Sequence, residues 1–185
     1  MTSSNNLKQR FDPMTLSTNV AFVLLATLFL GLASWLMWAG LIPSLAETTL
    51  SQRYSPWSTF LPLQLWMQIA IVLAIVLPIF AFLVQWRWSV VRRMMALYLL
   101  VLLAQIPTER VVTSLGLSGM NYLIGFTYTS YRVWQLWCYR QCFSQQESRN
   151  RMGGYLMWMI LGGGLIFWSL NWLFLAINLV TRTLV

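Results

Sequence analysis

The sequence predicts an all-α integral membrane protein: a bundle of about five transmembrane helices, N-terminus cytoplasmic, C-terminus on the opposite side. Three observations lead there. Of 185 residues, 58% are apolar and only 9% charged, with no histidine, whereas an average soluble domain is about 25% charged. The mean hydropathy is +0.65, which also excludes disorder, since disordered segments are poor in apolar and aromatic residues. Finally, the apolar residues gather into runs of spanning length, and the arginines fall between those runs in an alternating pattern.

A bilayer core about 30 Å thick needs roughly 20 mostly apolar helical residues. Residues 1–18 are polar and form a cytoplasmic N-terminal segment, and 19–185 form one transmembrane domain. The first span, about 20–42, is stopped by Pro43 and is too long for a cleaved signal core, so it is expected to be retained. The second, about 59–84, carries Pro62 near its start and Pro78 as an expected kink. The third, 88–106, is stopped by Pro107. The fourth, 114–137, is the most polar, and the fifth, 155–180, is the longest.

Short cytoplasmic loops collect Lys and Arg. Five spans place Lys8, Arg10, Arg87, Arg92, Arg93, Arg132, Arg140, Arg149 and Arg151 on the inner side, and Arg53, Arg110 and Arg182 on the outer. The net charge of +8 therefore reads as topology, and no nucleic-acid partner is expected. Tryptophans favour the interfaces: Trp86, Trp88, Trp134, Trp137 and Trp158 fall near the inner boundary, Trp35, Trp38 and Trp57 near the outer one. Ala26, Ala33 and Gly40, and Ala70, Ala74 and Ala81, trace small-residue seams for helix packing. Gly162, Gly163 and Gly164 mark either a contact surface or a broken helix.

Two groups of residues are candidates for function. Ser118, Asn121, Gly125, Tyr128, Arg132 and Gln135 recur at helical spacing and form a polar stripe that should avoid lipid. With Gln64, Gln68, Asn171 and Asn178, and with Glu109 and Arg110 in the short connection after Pro107, the stripe's outer members Ser118 and Asn121 converge on the outer half of the membrane. The expected result is a polar cavity or hydrogen-bonded cluster between helices 2, 4 and 5; the plainer alternative is interhelical bonding with a solvated loop. The second group, Arg87, Arg92, Arg93, Arg140, Arg149 and Arg151, makes two basic loops suited to anionic lipid or an acidic partner, although orientation alone demands arginines there.

Chemistry is poorly provided for. Acid–base catalysis uses histidine most often, and the four acids, Asp12, Glu47, Glu109 and Glu147, lie in four separate polar segments. No catalytic constellation and no metal site are expected. Cys138 and Cys142, four residues apart, read as reduced thiols or as sites of lipid modification. The stretch Ile124-Gly125-Phe126-Thr127-Tyr128-Thr129-Ser130-Tyr131-Arg132 resembles a segment of the membrane-bound O-acyltransferases. That family's acyl transfer relies on a histidine, which this chain lacks, so the resemblance implies at most a degenerate relative. The expected function is a non-catalytic subunit or assembly factor that binds lipids and other membrane subunits or a second copy. Bound lipid is the expected ligand, with a pigment as the aromatic alternative. A small transporter or channel component is the competing class. The membrane itself, plasma, inner or energy-converting, is left open.

Overall fold

The computed structural model describes residues 13–41, 63–117, 120–146 and 151–183. Among them helix is the only regular secondary structure, without a strand. We name the helices α1 (Leu16–Trp38), α2 (Leu63–Ile71, Val72–Val76 and Leu77–Val84 in continuation), α3 (Ser89–Ser114), α4 (Asn121–Gln146) and α5 (Arg151–Thr183). Four of these are long and apolar enough to cross a membrane: Leu16–Trp38, Gln64–Val84, Ser89–Ser114 and Gly154–Ile177. α4 is as long as α3, at 26 residues, but its Arg, Gln, Asn, Ser and Thr keep it below that apolar standard.

Helix ends are set by local chemistry. Thr15 caps α1, its hydroxyl accepting from the Thr18 N–H at 3.3 Å. At the far end Gly40 takes φ +70, its N–H bonds Met37 O at 3.1 Å and the Leu41 N–H bonds Leu36 O at 3.0 Å. This paired closure needs a left-handed residue and so favours glycine. Gly116 ends α3 the same way, with φ +75 and bonds from Gly116 to Thr113 O and from Leu117 to Val112 O.

These ends move two expected boundaries. Pro107 does not stop the third helix: α3 runs through it to Ser114. An interior proline costs one backbone bond, the one its ring nitrogen would donate to the carbonyl four residues back, yet the helix continues, and Thr108, the next residue, adds a side-chain bond to Ala104 O at 2.8 Å. Glu109 and Arg110 therefore lie on a helix, not in a connection. The fourth helix begins at Asn121 rather than 114 and extends to Gln146. Gly40, expected in a packing seam, instead closes α1. In α2 the kink expected at Pro78 is preceded by a π-helical stretch, where the Leu77 N–H reaches five residues back to Val72 O. The wider turn accommodates the missing proline N–H. α5 is unbroken through its glycines. Of the three, only Gly164 meets another helix, 3.5 Å from Leu136 when a Cβ is built, while Gly162 and Gly163 face open space.

Successive helices run antiparallel. α2, α3, α4 and α5 form a ring of neighbours, α2 closing against α5, and α1 lies in the outer groove of α3 and α4. One core, including Ala81, Met94, Tyr98, Tyr139, Leu161 and Trp168, fills the ring; a second, including Leu30, Val101, Ile124 and Tyr128, lies beneath α1. The outer surface is apolar: Leu24, Leu25, Leu28, Phe29 and Leu32 of α1, with Leu83, Val84, Leu103 and Ile166 elsewhere, are exposed. In water such continuous exposure would drive association. In lipid it is the ordinary exterior of a helical bundle.

Candidate functional site

The strongest polar feature is a buried arginine at the middle of α4. Arg132 was expected at the inner boundary with the loop arginines; it is instead 1% exposed inside the bundle. Its Nη2 donates to Gln105 Oε1 of α3, and Gln105 Nε2 donates to Glu109 Oε1 one turn further along. The amide thus relays between a cation and a carboxylate, accepting from one and donating to the other. Glu109 is the one acidic residue among the described residues. The guanidinium lies 4.5 Å from the Trp168 ring centre and 6.0 Å from that of Tyr98. Trp168 Nε1 in turn donates to Tyr98 OH at 2.9 Å. A desolvated cation is costly unless paired and hydrogen-bonded, and two ring faces plus the amide relay supply that compensation. Arg132 Nε has no partner.

A second network ties the start of α1 to α4. Asn19, fully buried, donates to Pro13 O and Thr15 O, both at 2.8 Å. Its Oδ1 accepts from Tyr131 OH at 3.1 Å and from Gln135 Nε2 at 2.9 Å. Gln135 Nε2 also donates to Tyr139 OH at 2.8 Å, and that hydroxyl reaches Pro13 O at 3.2 Å. Phe22 stacks on Tyr131 at 3.7 Å between ring centres.

The polar stripe of α4 faces inward through Tyr128, Arg132 and Gln135, all buried, with Asn121 and Gly125 half-buried; Ser118 lies outside the described residues. The outer cluster is distributed rather than gathered. Asn121 Nδ2 donates to Thr113 Oγ1 at 3.0 Å, and Asn171 Nδ2 to Thr129 Oγ1 at 3.4 Å. Gln64 and Gln68 are exposed on α2, and Arg110 is exposed on α3. The side chain of Asn178 lies outside the described residues. Only Glu109, among the residues expected in that cluster, joins the buried relay.

Of the basic group, Arg87 stands exposed in the turn between α2 and α3. Arg92 and Arg93 occupy the first turn of α3, and Arg140 lies on α4, over the Trp158 ring at 5.2 Å. Arg151 starts α5, its side chain outside the described residues, as is Arg149 entirely. Gln105, Tyr98, Trp168 and Asn19 were not singled out from sequence. The spacing of Gln105 and Glu109, one helical turn apart, was the available signal; it is visible only once the helix is allowed to pass Pro107. Cys138 and Cys142 are free thiols, and no metal-ligating group is assembled among the described residues. Compared with known proteins, the chain matches no protein-family model, no curated protein and no solved structure, so the O-acyltransferase resemblance gains no support.

Proposed function

We propose that the chain is a non-catalytic, multi-pass membrane subunit or assembly factor that crosses the bilayer five times, N-terminus inside, and engages lipids and a partner membrane protein. One observation carries this reading. Asn19, Arg132, Gln135 and Asn171, buried on α1, α4 and α5, each bond side chains of a neighbouring helix, whereas Gln64 and Gln68, one turn apart, stand exposed on α2 beside exposed Leu65, Ile71 and Val72. Side-chain amides facing hydrocarbon gain from a partner helix, by about 0.6–2 kcal/mol each. A subunit surface supplies that partner, from another protein or a second copy. The transport alternative needs those amides in a shared cavity with Asn121 and Asn171, and their outward direction disfavours it.

The test is native-gel size after extraction in mild detergent, comparing the natural chain with Gln64→Leu/Gln68→Leu. The natural chain is expected to migrate as a complex, and the double variant as a smaller species with unchanged helical circular dichroism. A natural chain that migrates as a monomer, or a double variant that keeps the full complex, overturns the subunit reading.

A further inference from the structure

We infer that a pocket at the arginine-rich end of the bundle binds the phosphate headgroup of an anionic membrane lipid. The pocket, about 480 Å³, lies between the start of α1, the end of α2 and the first turns of α3. Its walls divide by chemistry. Arg92, Arg93 and Ser89 supply two guanidinium groups and a hydroxyl; Met14, Phe82 and Val90 are apolar. That pairing suits an amphiphile: guanidinium groups hold phosphate oxygens by paired hydrogen bonds, and the apolar wall takes the first carbons of the chains. The volume falls within the range of small-molecule sites, about 300–1,000 Å³.

Three further observations favour an anion. Trp88, which precedes α3, offers no side-chain cap to the first-turn N–H groups beside Ser89 and Val90. Arg92 is already held, its Nη1 donating to Trp86 O at 3.2 Å and its guanidinium 5.3 Å from the Trp86 ring centre, so little ordering is needed to bind. Glu109, the one acid among the described residues, lies toward the opposite end of α3, so no described carboxylate stands beside the pocket. A lipid is favoured over free phosphate because the apolar wall would add nothing for an inorganic ion. The inference rests on the membrane reading and not on the subunit reading; its failure leaves the native-gel experiment untouched.

The full chain in uncharged detergent, titrated with dioctanoyl phosphatidylglycerol, is expected to rise in Tm, and with dioctanoyl phosphatidylcholine to stay unchanged. Each arginine near the headgroups contributes about fivefold, so Arg92→Gln/Arg93→Gln should shift the titration midpoint by about 25-fold. Arg110→Gln, which removes a charge toward the opposite end of α3, should leave it in place. Ala96→Phe, which fills the pocket while both arginines remain, should abolish the response and decides the matter if the double variant does not fold. An equal response to inorganic phosphate, a comparable loss in the Arg110→Gln variant, or an Ala96→Phe protein that responds normally would each overturn the inference.

Discussion

At the scale of single residues, Arg132 dominates. Its cation, the Gln105 amide and the Glu109 carboxylate form one unit, and units of this kind lose more when broken than they contribute when whole. Arg132→Met alone is expected to cost about 3–5 kcal/mol, because Glu109 keeps its charge without the cation. Gln105→Leu is expected to cost about 1–3 kcal/mol by leaving both ends of the relay unbonded. The triple variant Arg132→Met/Gln105→Leu/Glu109→Gln should cost far less than the sum, measured by reversible unfolding in mixed micelles; additive losses would show that the three act separately. Ser34 provides the opposite case. Its hydroxyl is buried without a partner, so Ser34→Ala should leave stability unchanged or raise it, by up to about 1 kcal/mol, in the same assay. Periodicity placed Arg132 on a stripe that avoids lipid, but neither its relay nor the unpartnered Ser34 hydroxyl was legible beforehand. Arg132 carries the same charge as a loop arginine, and only its neighbours on α3 and α5 distinguish the two.

At the scale of elements, helix ends follow glycine more closely than proline. Pro107 sits inside α3 and Pro78 inside α2, whereas Gly40 and Gly116 each close a helix in the left-handed conformation. Gly40→Ala and Gly116→Ala should each cost about 1–2 kcal/mol, the penalty of a Cβ at positive φ. Gly162→Ala and Gly163→Ala, in open space within a continuous helix, should instead stabilise by up to about 1 kcal/mol through helix propensity. Thermal unfolding of the four variants separates the two groups; a uniform loss would contradict the glycine roles. The apolar runs were legible because hydropathy needs no knowledge of neighbours. The third and fourth boundaries were not, because passage through Pro107 and closure at Gly116 depend on contacts that one residue's identity does not reveal. The inward-facing stripe of α4 was readable for the same reason as the runs: periodicity is a property of one helix alone.

At the scale of the whole molecule, the antiparallel order places Arg87, Arg92, Arg93 and Arg140 at one end and Trp38, Arg110 and Gly116 at the other. With Cys138 and Cys142 replaced by alanine, single cysteines at Arg87 and Leu117 should react with an impermeant maleimide from opposite faces of sealed vesicles. Labelling from one face would contradict a membrane crossing by α3. On the proposed membrane reading, the polar composition of α4 also bears on how the chain would enter a bilayer. An arginine at the centre of an isolated helix opposes translocon partitioning by about 2.5–3.5 kcal/mol, so a nascent Asn121–Gln146 segment would not leave the protein-conducting channel unaided. Its ring partners on α3 and α5 must shelter it during synthesis. A polypeptide ending shortly after Gln146 should therefore be retained or degraded, whereas one that has emerged through Trp168 should integrate, as glycosylation mapping of staged truncations would reveal.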